Sequence, residues 1–577
     1  MRSFNVTYDR NYHYAGVRGF GRPGDYNTHI LFLLDGNRMN DNVYDCLLIG
    51  TDFVLDVDLI DRIEVIRGPG SALYGSNAFF GVVNIITKKG RDLKGAEVSG
   101  EAGSFDTYKS RLSYGEKFQN GTEAILSGSV YDSNGQERLY FKEFDSPATN
   151  NGITEHTDYD RYNSYFTKAS YRDFTFEGAS ITRTKGISAA SFGTDFNDPR
   201  NKTVDRRTYL DLKYERPVSG TSDIMTRVFY GYYDYRADLV YGGIVNKDFG
   251  YGAWWGSEVK VTTNALEKHK LIFGGEYKDN IHQNQYNYDE DPFLVYLDDK
   301  RRSQIWASYI QDEVTLSKNV IFNAGVRYDH YDTFGGTTNP RFAFIYSPVE
   351  KTIFKLLYGT AFRAPTDYEL YYYLNGVQKP NPGLKPETIT TYELVYEQYI
   401  GRHLRGAASV FHYTIEDLIS LTQDPIDTLL VYQNIAKVET TGFELEQEGT
   451  WGNGFRERIS YSLQKSKNML TGETLSNSPE HQVKANVLFP LVNKSLTAGI
   501  EEHYTSKRKT LQGNYAGSFC ITNVTVLSEK LLDRLEVSAS VYNLFDRQYG
   551  NPGSAEHAQD IIGQDGRSYR FKLTYRF

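Results

Sequence analysis

The sequence predicts an all-β transmembrane barrel of about 22 antiparallel strands, with a small mixed α/β domain from the N-terminus inside its lumen. Period-two alternation of apolar and polar residues recurs from about residue 95 to the end of the chain, and clusters of Gly, Asn, Asp and Pro separate the alternating segments. The composition is rich in Tyr (47 residues), Phe (33) and Gly (51), which favours strands and turns over helix bundles. Both observations indicate a β protein.

The bulk composition excludes several other classes of protein. Hydrophobic residues make up 40% of the chain and the mean hydropathy is -0.53. No uncharged stretch approaches the ~20 residues of a membrane-spanning helix. The net charge of -9, without a long block of Lys or Arg, gives no reason to expect a nucleic-acid partner. Cys46 and Cys520 lie far apart in the sequence, so we expect unpaired thiols.

The final segment, RSYRFKLTYRF, places two kinds of side chain on two faces of a strand. The aromatic and apolar face consists of Tyr569, Phe571, Leu573, Tyr575 and Phe577. The other face carries Arg570 and Lys572, and either charge at a bilayer midplane would cost ~2 to 4 kcal/mol, so this face must meet water or protein. Only a closed barrel satisfies every backbone hydrogen bond inside hydrocarbon, and we therefore expect this last strand to pair with the first.

Residues 93–577 are predicted to form the whole barrel. About 22 alternating segments leave about 22 residues for each strand with its connection, and a strand that crosses a bilayer needs ~9 to 11 of them. Short turns should alternate with long loops, and the aromatic surplus should lie in two interfacial girdles. The expected long loops are residues 132–159, 234–255, 284–300 and 362–387.

Residues 1–92 follow a different pattern, which predicts a small globular domain. Its predicted elements are a buried strand at 30–34, a turn at Asp35 and Gly36, a short helical turn at 58–62, a strand at 63–66 and another strand within NAFFGVVNIITKKG. A barrel of this strand number has a lumen wide enough to need filling, and 22-stranded outer-membrane transporters are plugged. We therefore expect residues 1–92 to be the plug.

Two glycine-rich motifs do not predict nucleotide binding. GFGRPG has the spacing of a dinucleotide site, but Pro23 interrupts it and a strand rather than a helix follows. GPGSALYGS lacks the Lys-Ser/Thr of a phosphate loop. An outer-membrane lipase or protease would need a Ser-His or Asp-His constellation, and no motif assembles one, so the sequence predicts no enzyme.

Several motifs resemble one known family. RGFGRPGDYNTHILFLLDGNRMND, followed by DLIDRIEVIRGPGSALYGSNAFFGVVNIITKKG, resembles the plug domain of TonB-dependent outer-membrane receptors. FRAP with NPGLKPET, then NLFDRQY, then the final GRSYRFKLTYRF, resemble the barrel motifs of the same family in the family's order. The resemblance covers essentially the whole chain.

The resemblance implies active uptake of a scarce, bulky nutrient across the outer membrane of a Gram-negative bacterium. A ferric siderophore is the first expectation, and cobalamin or haem is the alternative within the family. The iron chelate would be cargo, and no resident cofactor is expected. The implied partners are the lipid of the outer membrane and the TonB complex, which family members bind through an N-terminal TonB box. The chain is expected to be a monomer.

The sequence departs from the family pattern at its start. A signal peptide, the TonB box and the first plug elements are all missing before Met1, so we expect the plug to be partial. A passive or adhesive barrel with a vestigial plug is therefore a second alternative, which an upstream leader and TonB box would count against.

The resemblance places DRNYHYAG and NDNVYDCLLIGTDF on the outward-facing apex of the plug, where family members contact their ligand. The candidate ligand-binding residues there are Asp9, Arg10, Asn11, Tyr12, His13, Tyr14, Asn42, Tyr44 and Asp45. Aromatic faces suit stacking on a large polar chelate, and Arg10 suits an anionic group. Weaker candidates in the barrel loops are Trp254, Trp255, Tyr371, Tyr372 and Tyr373. The alternative role for each residue is structural, in hydrogen bonds of the plug or contacts with the loops.

A histidine and an acidic cluster raise two hypotheses that involve metals. His13 has the chemistry of a haem axial ligand. Haem receptors of the family typically also place a histidine between the FRAP and NPNL motifs, and residues 362–387 contain none, so haem ranks low. A calcium site, or simply a solvated loop, is expected at the acidic residues Asp289, Glu290, Asp291, Asp298 and Asp299.

Charged residues of the plug are expected to form ion pairs with the barrel wall. On the plug these residues are Arg62, Glu64 and Arg67, and in the barrel they are Glu444, Glu446 and Glu448. The sequence leaves the particular pairs open.

Overall fold

A computed structural model describes residues 2–492, 495–532 and 534–577. The N-terminal domain contains the strands β1 (Phe4–Tyr8), β2 (His13–Val17), β3 (Leu31–Leu34), β4 (Asn37–Arg38), β5 (Ile60–Arg67) and β6 (Gly81–Thr87). The α-helices are α1 (Ser71–Tyr74), α2 (Gly90–Leu93) and α3 (Asp367–Tyr371), and the 3-10 helices are Val57–Leu59, Lys142–Phe144, Pro147–Gly152 and Ser191–Gly193. Among the described residues, none of the helices has the length and apolar character required to cross a bilayer.

The remaining strands follow one another along the rest of the chain. They are β7 (Gly95–Gly103), β8 (Thr107–Lys117), β9 (Glu123–Ser133), β10 (Arg138–Tyr140), β11 (Ile153–Glu155), β12 (Asp160–Tyr171), β13 (Phe174–Gly186), β14 (Lys202–Ser219), β15 (Ser222–Tyr241), β16 (Ile244–Thr263), β17 (His269–Asp289), β18 (Leu294–Ser317), β19 (Val320–Tyr331), β20 (Gly335–Val349), β21 (Thr352–Arg363), β22 (Glu387–Ile400), β23 (Leu404–Gln423), β24 (Leu430–Thr450), β25 (Arg456–Asn468), β26 (His481–Val492), β27 (Leu496–Thr505), β28 (Arg508–Lys509), β29 (Tyr515–Ala516), β30 (Phe519–Leu532), β31 (Leu535–Tyr542), β32 (Gly550–Pro552), β33 (Ile561–Gly563) and β34 (Ser568–Arg576). Six of them, β10, β11, β28, β29, β32 and β33, form small hairpins in the connections.

The other 22 strands form one closed antiparallel barrel, as the sequence predicts. Closure is made by β34 and β7, which pair antiparallel from Arg570 opposite Gly103 to Arg576 opposite Glu97. The cationic face of β34 points into the lumen, where Lys572 contacts Asp58 of the plug. On the opposite face, Leu573 is 41% exposed and belongs to the apolar band that surrounds the barrel.

Replacing Leu573 by arginine is expected to destabilise the barrel. The charge would enter the apolar band near the middle of β34, at a cost of ~2 to 4 kcal/mol in the free energy of unfolding. The conservative change Lys572→Arg, which keeps a cation on the lumen face, should cost less than ~1 kcal/mol. Denaturant unfolding in phospholipid vesicles measures both, and equal losses would show that Leu573 does not face lipid.

The N-terminal domain lies inside the barrel as a plug. Its sheet has the strand order β4-β3-β6-β5, with β3 and β6 parallel and the outer pairs antiparallel. The turn between β3 and β4 has positive φ at both central residues, 46° at Asp35 and 85° at Gly36, which the Asp-Gly pair tolerates. The helical turn expected at 58–62 is the shorter 3-10 helix Val57–Leu59, because Ile60 already pairs with Thr87 in the sheet.

Apolar contacts fix the plug against the wall. Phe20 and Phe80 of the plug pack in one buried cluster with Phe411 and Tyr413 of β23, and the rings of Phe80 and Tyr413 are 5.3 Å apart. Free energy from burial of aromatic surface therefore holds the plug in the lumen.

The connections differ between the two ends of the barrel. One end has short turns, such as 172–173 and 350–351, and the other has the long connections 134–159, 187–201, 364–386 and 543–567. The expectation of a long loop at 234–255 is wrong, because β15 and β16 continue to a two-residue turn at Gly242 and Gly243. Most of 284–300 likewise belongs to β17 and β18. These strands have 20 to 24 residues, so they extend well beyond the ~9 to 11 that cross a bilayer.

Candidate ligand-binding cavity

A cavity of about 160 Å³ lies between the outer surface of the plug and the long-loop end of the barrel. We call it the tyrosine cavity, because its lining includes Tyr12, Tyr26, Tyr44, Tyr233, Tyr235, Tyr368 and Tyr432. The first three belong to the plug, and the others to β15, α3 and β24. The cavity is therefore formed jointly by plug, wall and loop.

Tyr44 reaches the cavity from a tight loop of the plug. The carboxylate of Asp41 accepts hydrogen bonds from the backbone N–H groups of Val43 (2.7 Å), Tyr44 (2.8 Å) and Cys46 (2.9 Å), which holds the loop in shape. The backbone N–H of Tyr368 donates to the carbonyl of Val43 at 3.2 Å, so the loop is also joined to α3. A movement of this plug loop would consequently displace the wall of the cavity.

Aromatic rings line the cavity as a connected row. The ring of Tyr44 lies 5.8 Å from that of Tyr235 and 5.5 Å from that of Tyr368, and Tyr368 lies 6.0 Å from Tyr432. Within the described part of the chain, the hydroxyls of these four residues make no hydrogen bond to protein. Four aromatic faces with four free hydroxyls can therefore stack on a ligand and hydrogen-bond to it.

The other three tyrosines use their hydroxyls within the protein. Tyr12 and Tyr233 both donate to the buried carboxylate of Asp205 at 2.9 Å. Tyr26 donates to Glu556 of the 543–567 connection at 2.9 Å. These contacts join the plug to the wall and to one long loop.

A buried ion network lies at the floor of the cavity. The guanidinium of Arg363 bonds to Glu387 at 2.8 Å and to Glu369 at 2.9 Å. His29 of the plug contacts the same Glu387 through Nε2 at 2.6 Å and Asp25 through Nδ1 at 3.2 Å. The network therefore connects the plug to both ends of the 364–386 loop.

Raising the pH is expected to weaken the attachment of the plug at His29. Burial lowers the pKa of His29, but Glu387 and Asp25 raise it more, so the net shift is upward from ~6.5. Stabilisation by protonated His29 is therefore complete below ~6.5 and is lost as the pH rises through the elevated pKa. We expect the protease resistance of the plug to fall over that range in the wild type. A His29→Gln variant with the same pH dependence would contradict this role.

Two of the apex candidates line the tyrosine cavity, Tyr12 and Tyr44. Two others, Asn42 and Asp45, line a neighbouring polar cavity of about 80 Å³, and Asp45 accepts a hydrogen bond from Asn77 at 2.7 Å. Asn42 donates to the carbonyl of His282 in β17 at 2.9 Å.

The remaining apex candidates are engaged by the protein itself. Arg10 pairs with Asp565 at 2.5 Å, and Asn11 accepts hydrogen bonds from Arg183 and Thr203 at 2.9 and 3.2 Å. The carboxylate of Asp9 caps the β1–β2 turn and accepts a hydrogen bond from the hydroxyl of Tyr14. The ring of His13 stacks on that of Tyr8, with the ring centroids 4.4 Å apart. These residues position the apex against the wall.

The barrel-loop candidates have different environments. Trp254 and Trp255 lie in β16 rather than in a loop, and Trp254 is buried beside Tyr12 and Tyr233 while Trp255 is 38% exposed on the outer face. Tyr371 stacks under Arg301, whose guanidinium lies 3.4 Å from the ring centroid. The ring of Tyr372 packs 4.5 Å from Tyr368, and Tyr373 is exposed.

Sequence reasoning missed five of the seven tyrosines, Tyr26, Tyr233, Tyr235, Tyr368 and Tyr432. Tyr233 and Tyr235 are two residues apart and so share a strand face, but the predicted loop at 234–255 begins between them and hides that signal. Tyr368 lies three residues before the run of loop candidates that begins at Tyr371.

The expected ion pairs between plug and wall are formed only in part. Arg67 contacts Glu446 at 3.3 Å. Arg62 instead pairs with its neighbours Asp61 and Glu64, at 2.9 and 2.8 Å, because β5 is an edge strand whose side chains are exposed there. The wall residue Glu444 pairs with Arg2 at 2.9 Å and Arg18 at 3.3 Å, and Glu448 pairs with Arg405 and Arg458 of the wall.

The acidic residues proposed for calcium are distributed along β17, β18 and their turn. Asp298 pairs with Lys300 at 2.9 Å and Asp299 with Arg301 at 2.7 Å, while Asp289 accepts from Tyr296 at 2.7 Å. Among the described residues, the structure has no group of three or more His, Cys, Asp or Glu arranged to hold a metal ion. Cys46 and Cys520 are both free thiols.

Comparison with protein families gives two matches. Residues 139–544 match the model described as TonB dependent receptor-like, beta-barrel, and residues 3–82 match the TonB-dependent Receptor Plug Domain. The first match alone covers more than half of the chain.

Solved structures of the same architecture cover the chain completely. The FrpB iron transporter from Neisseria meningitidis is similar at 17% identity and a TM-score of 0.78, over 100% of this chain and 95% of that one. The ferric yersiniabactin uptake receptor FyuA from Yersinia pestis has 15% identity and a TM-score of 0.79, over 100% and 94%. The copper transporter OprC has 15% identity, a TM-score of 0.79 and the same coverage. At these identities the similarity shows the fold.

Proposed function

Because this chain belongs to the TonB-dependent receptor family, we propose that it binds a ferric chelate, most simply a ferric siderophore, and imports it across the outer membrane of a Gram-negative bacterium. The proposed partners are the chelate and the TonB complex, with lipid around the barrel. We propose that the long-loop end of the barrel faces the outside of the cell. The proposed activity is transport rather than catalysis.

The tyrosine cavity is the observation that carries the proposal. It lies on the outward side of the plug and combines the aromatic faces of Tyr44, Tyr235 and Tyr368 with hydroxyls that have no protein partner. A metal chelate presents flat, polar ligand groups around its ion, and such groups can stack on tyrosine rings and accept hydrogen bonds from their hydroxyls. Phe20 and Phe80 of the plug pack against the barrel wall, and we propose that passage of a bound chelate requires the plug to move.

Energy for that movement would come from TonB. The plug is held by the buried ion pairs of Arg18 and by an aromatic cluster, and moving the plug requires these contacts to break. We propose that the chelate displaces the loop of Tyr44 and that force from the TonB complex then opens the lumen. This order would couple occupancy of the cavity to transport.

Haem remains a weaker proposal, because neither nearby histidine is placed for axial ligation. His13 is stacked on Tyr8 away from the cavity lining, and both ring nitrogens of His29 are engaged by Glu387 and Asp25.

Uptake of radiolabelled iron tests the proposed function. The source bacterium, grown under iron limitation, would receive ferric chelates concentrated from its own spent medium. We expect uptake to fall in a strain without this protein and in a strain without TonB, and to return when each gene is restored. Uptake that is unchanged in both strains would refute the proposal, and uptake that needs the protein but not TonB would favour a passive barrel.

A further inference from the structure

Among the described residues, two carboxyl groups that line the tyrosine cavity take part in no ion pair. Arg363 is neutralised by Glu369 and Glu387, and Asp25 contacts His29. Two lining carboxylates remain, Asp248 of β16 and Glu556 of the 543–567 connection, and neither forms an ion pair with any described residue. Carboxyl groups that line a cavity without an ion-pair partner can pair with a cation that a ligand supplies.

One lining cation, Arg22, is also without an ion pair in the described chain. Its guanidinium donates to the backbone carbonyl of Ile419 at 2.9 Å, so it is held against β23. Asp248 and Glu556 outnumber it, and the lining therefore retains an excess of acidic groups.

The surroundings of the two carboxylates suit a cation. Glu556 accepts a hydrogen bond from Tyr26, and burial, together with the nearby Asp9, raises the pKa of Glu556 to about 8 although the Tyr26 bond opposes this. An arriving cation would stabilise the ionised form of this carboxyl. Asp248 and Tyr44 line the same cavity, and burial followed by the charge of Asp248 raises the pKa of Tyr44. Aromatic faces next to carboxylates bind ammonium and guanidinium groups well.

From this arrangement we infer that the ligand of the tyrosine cavity is a ferric chelate carrying a cationic group, which lies against Tyr44 and Tyr235 and pairs with Asp248 and Glu556. The inference rests on the proposed function and narrows its substrate class to amine-bearing or guanidine-bearing chelates.

Matched ferric complexes test this inference with the purified full-length chain. The first probe is ferrioxamine B, a linear trihydroxamate complex with one free ammonium group, and the second is its N-acetylated, neutral derivative. A tricatecholate ferric complex with net negative charge is the third. Binding can be followed by quenching of tryptophan fluorescence, since Trp254 is packed against Tyr12 and Tyr233 beside the cavity.

We expect the cationic complex to bind at least about tenfold more tightly than the neutral one. In the double variant Asp248→Asn, Glu556→Gln this preference should disappear, so that the cationic and neutral complexes bind with affinities within about twofold of each other. Asp223→Asn, an exposed carboxylate at the other end of β15, is the control and should keep the full preference.

The outcomes separate the inference from the proposed function. Equal binding of all three complexes, or tighter binding of the neutral or anionic one, would overturn the cationic ligand and leave a ferric-chelate receptor. A preference that survives in the double variant would also overturn it. If the wild type binds none of the three complexes and iron uptake is independent of the protein, the proposed function fails as well.

Discussion

Replacing Tyr44 by alanine is expected to weaken binding of the ferric chelate by at least about thirtyfold, or ~2 kcal/mol. Tyr44 lies at the centre of the tyrosine row, with ring contacts to Tyr233 (6.1 Å), Tyr235 (5.8 Å) and Tyr368 (5.5 Å). Its loss removes a stacking face and a free hydroxyl, and it also removes the edge contacts that Tyr44 makes with the rings of Tyr233 and Tyr235. Equilibrium binding of radiolabelled ferric chelates from iron-limited medium to the purified protein measures the effect.

The matched control is Tyr165→Ala. Tyr165 is a tyrosine of β12 that is 60% exposed on the outer face of the barrel, so its removal should leave the affinity within about twofold. If both variants bind like the wild type while remaining folded, the chelate does not occupy the tyrosine cavity.

Replacing Arg18 by alanine is expected to lower the free energy that holds the plug against the barrel wall by ~3 to 5 kcal/mol. The guanidinium of Arg18 pairs with Glu393 at 2.6 Å and Glu444 at 3.3 Å, and it lies 4.2 Å from the ring of Phe411. Both carboxylates are nearly inaccessible to water, with side chains 4% and 1% exposed. Removing Arg18 leaves Glu393 without an ion-pair partner among the described residues and Glu444 with Arg2 alone, and such under-compensated buried charge costs more than the pair itself contributes.

Arg62→Ala is the control for Arg18. Arg62 also belongs to the plug and also pairs with two carboxylates, but its side chain is 58% exposed, and such surface pairs contribute ~0 to 1 kcal/mol. Proteolysis in increasing urea, with cleavage of the plug and of the barrel followed separately, measures the effect. The urea midpoint for cleavage of the plug should be well below that of the control in the Arg18→Ala variant. Identical urea midpoints would mean that the buried pairs do not hold the plug.

The sequence was sufficient to predict the barrel, because strand alternation over hundreds of residues admits few folds. The terminal strand illustrates this: the sequence predicts that its cationic face meets water or protein, and in the structure Leu573 lies on the outer face while Lys572 contacts the plug. The strand count follows from the number of alternating segments, about 22, and the closed barrel has 22 strands.

The site could be predicted only in part, since it is assembled from distant segments. Tyr44 was recognised from its plug motif, but its ring neighbours come from β15, α3 and β24, and nothing local in the sequence joins them. The polar extension of β15 and β16 beyond the bilayer has the composition of a loop, so the sequence pattern does not assign Tyr235 to a strand face. Arg10, which was chosen for its charge, is already paired with Asp565 from near the other end of the chain.

The position of bound iron tests the central claim most directly. Crystals of the protein isolated from its own outer membrane with ferric chelate would be measured at the iron absorption edge, where anomalous scattering locates the ion. We expect one iron peak inside the tyrosine cavity, with chelate density in contact with Tyr44, Tyr235 and Tyr368. An iron peak elsewhere on the protein, with this cavity holding only water, would contradict the account.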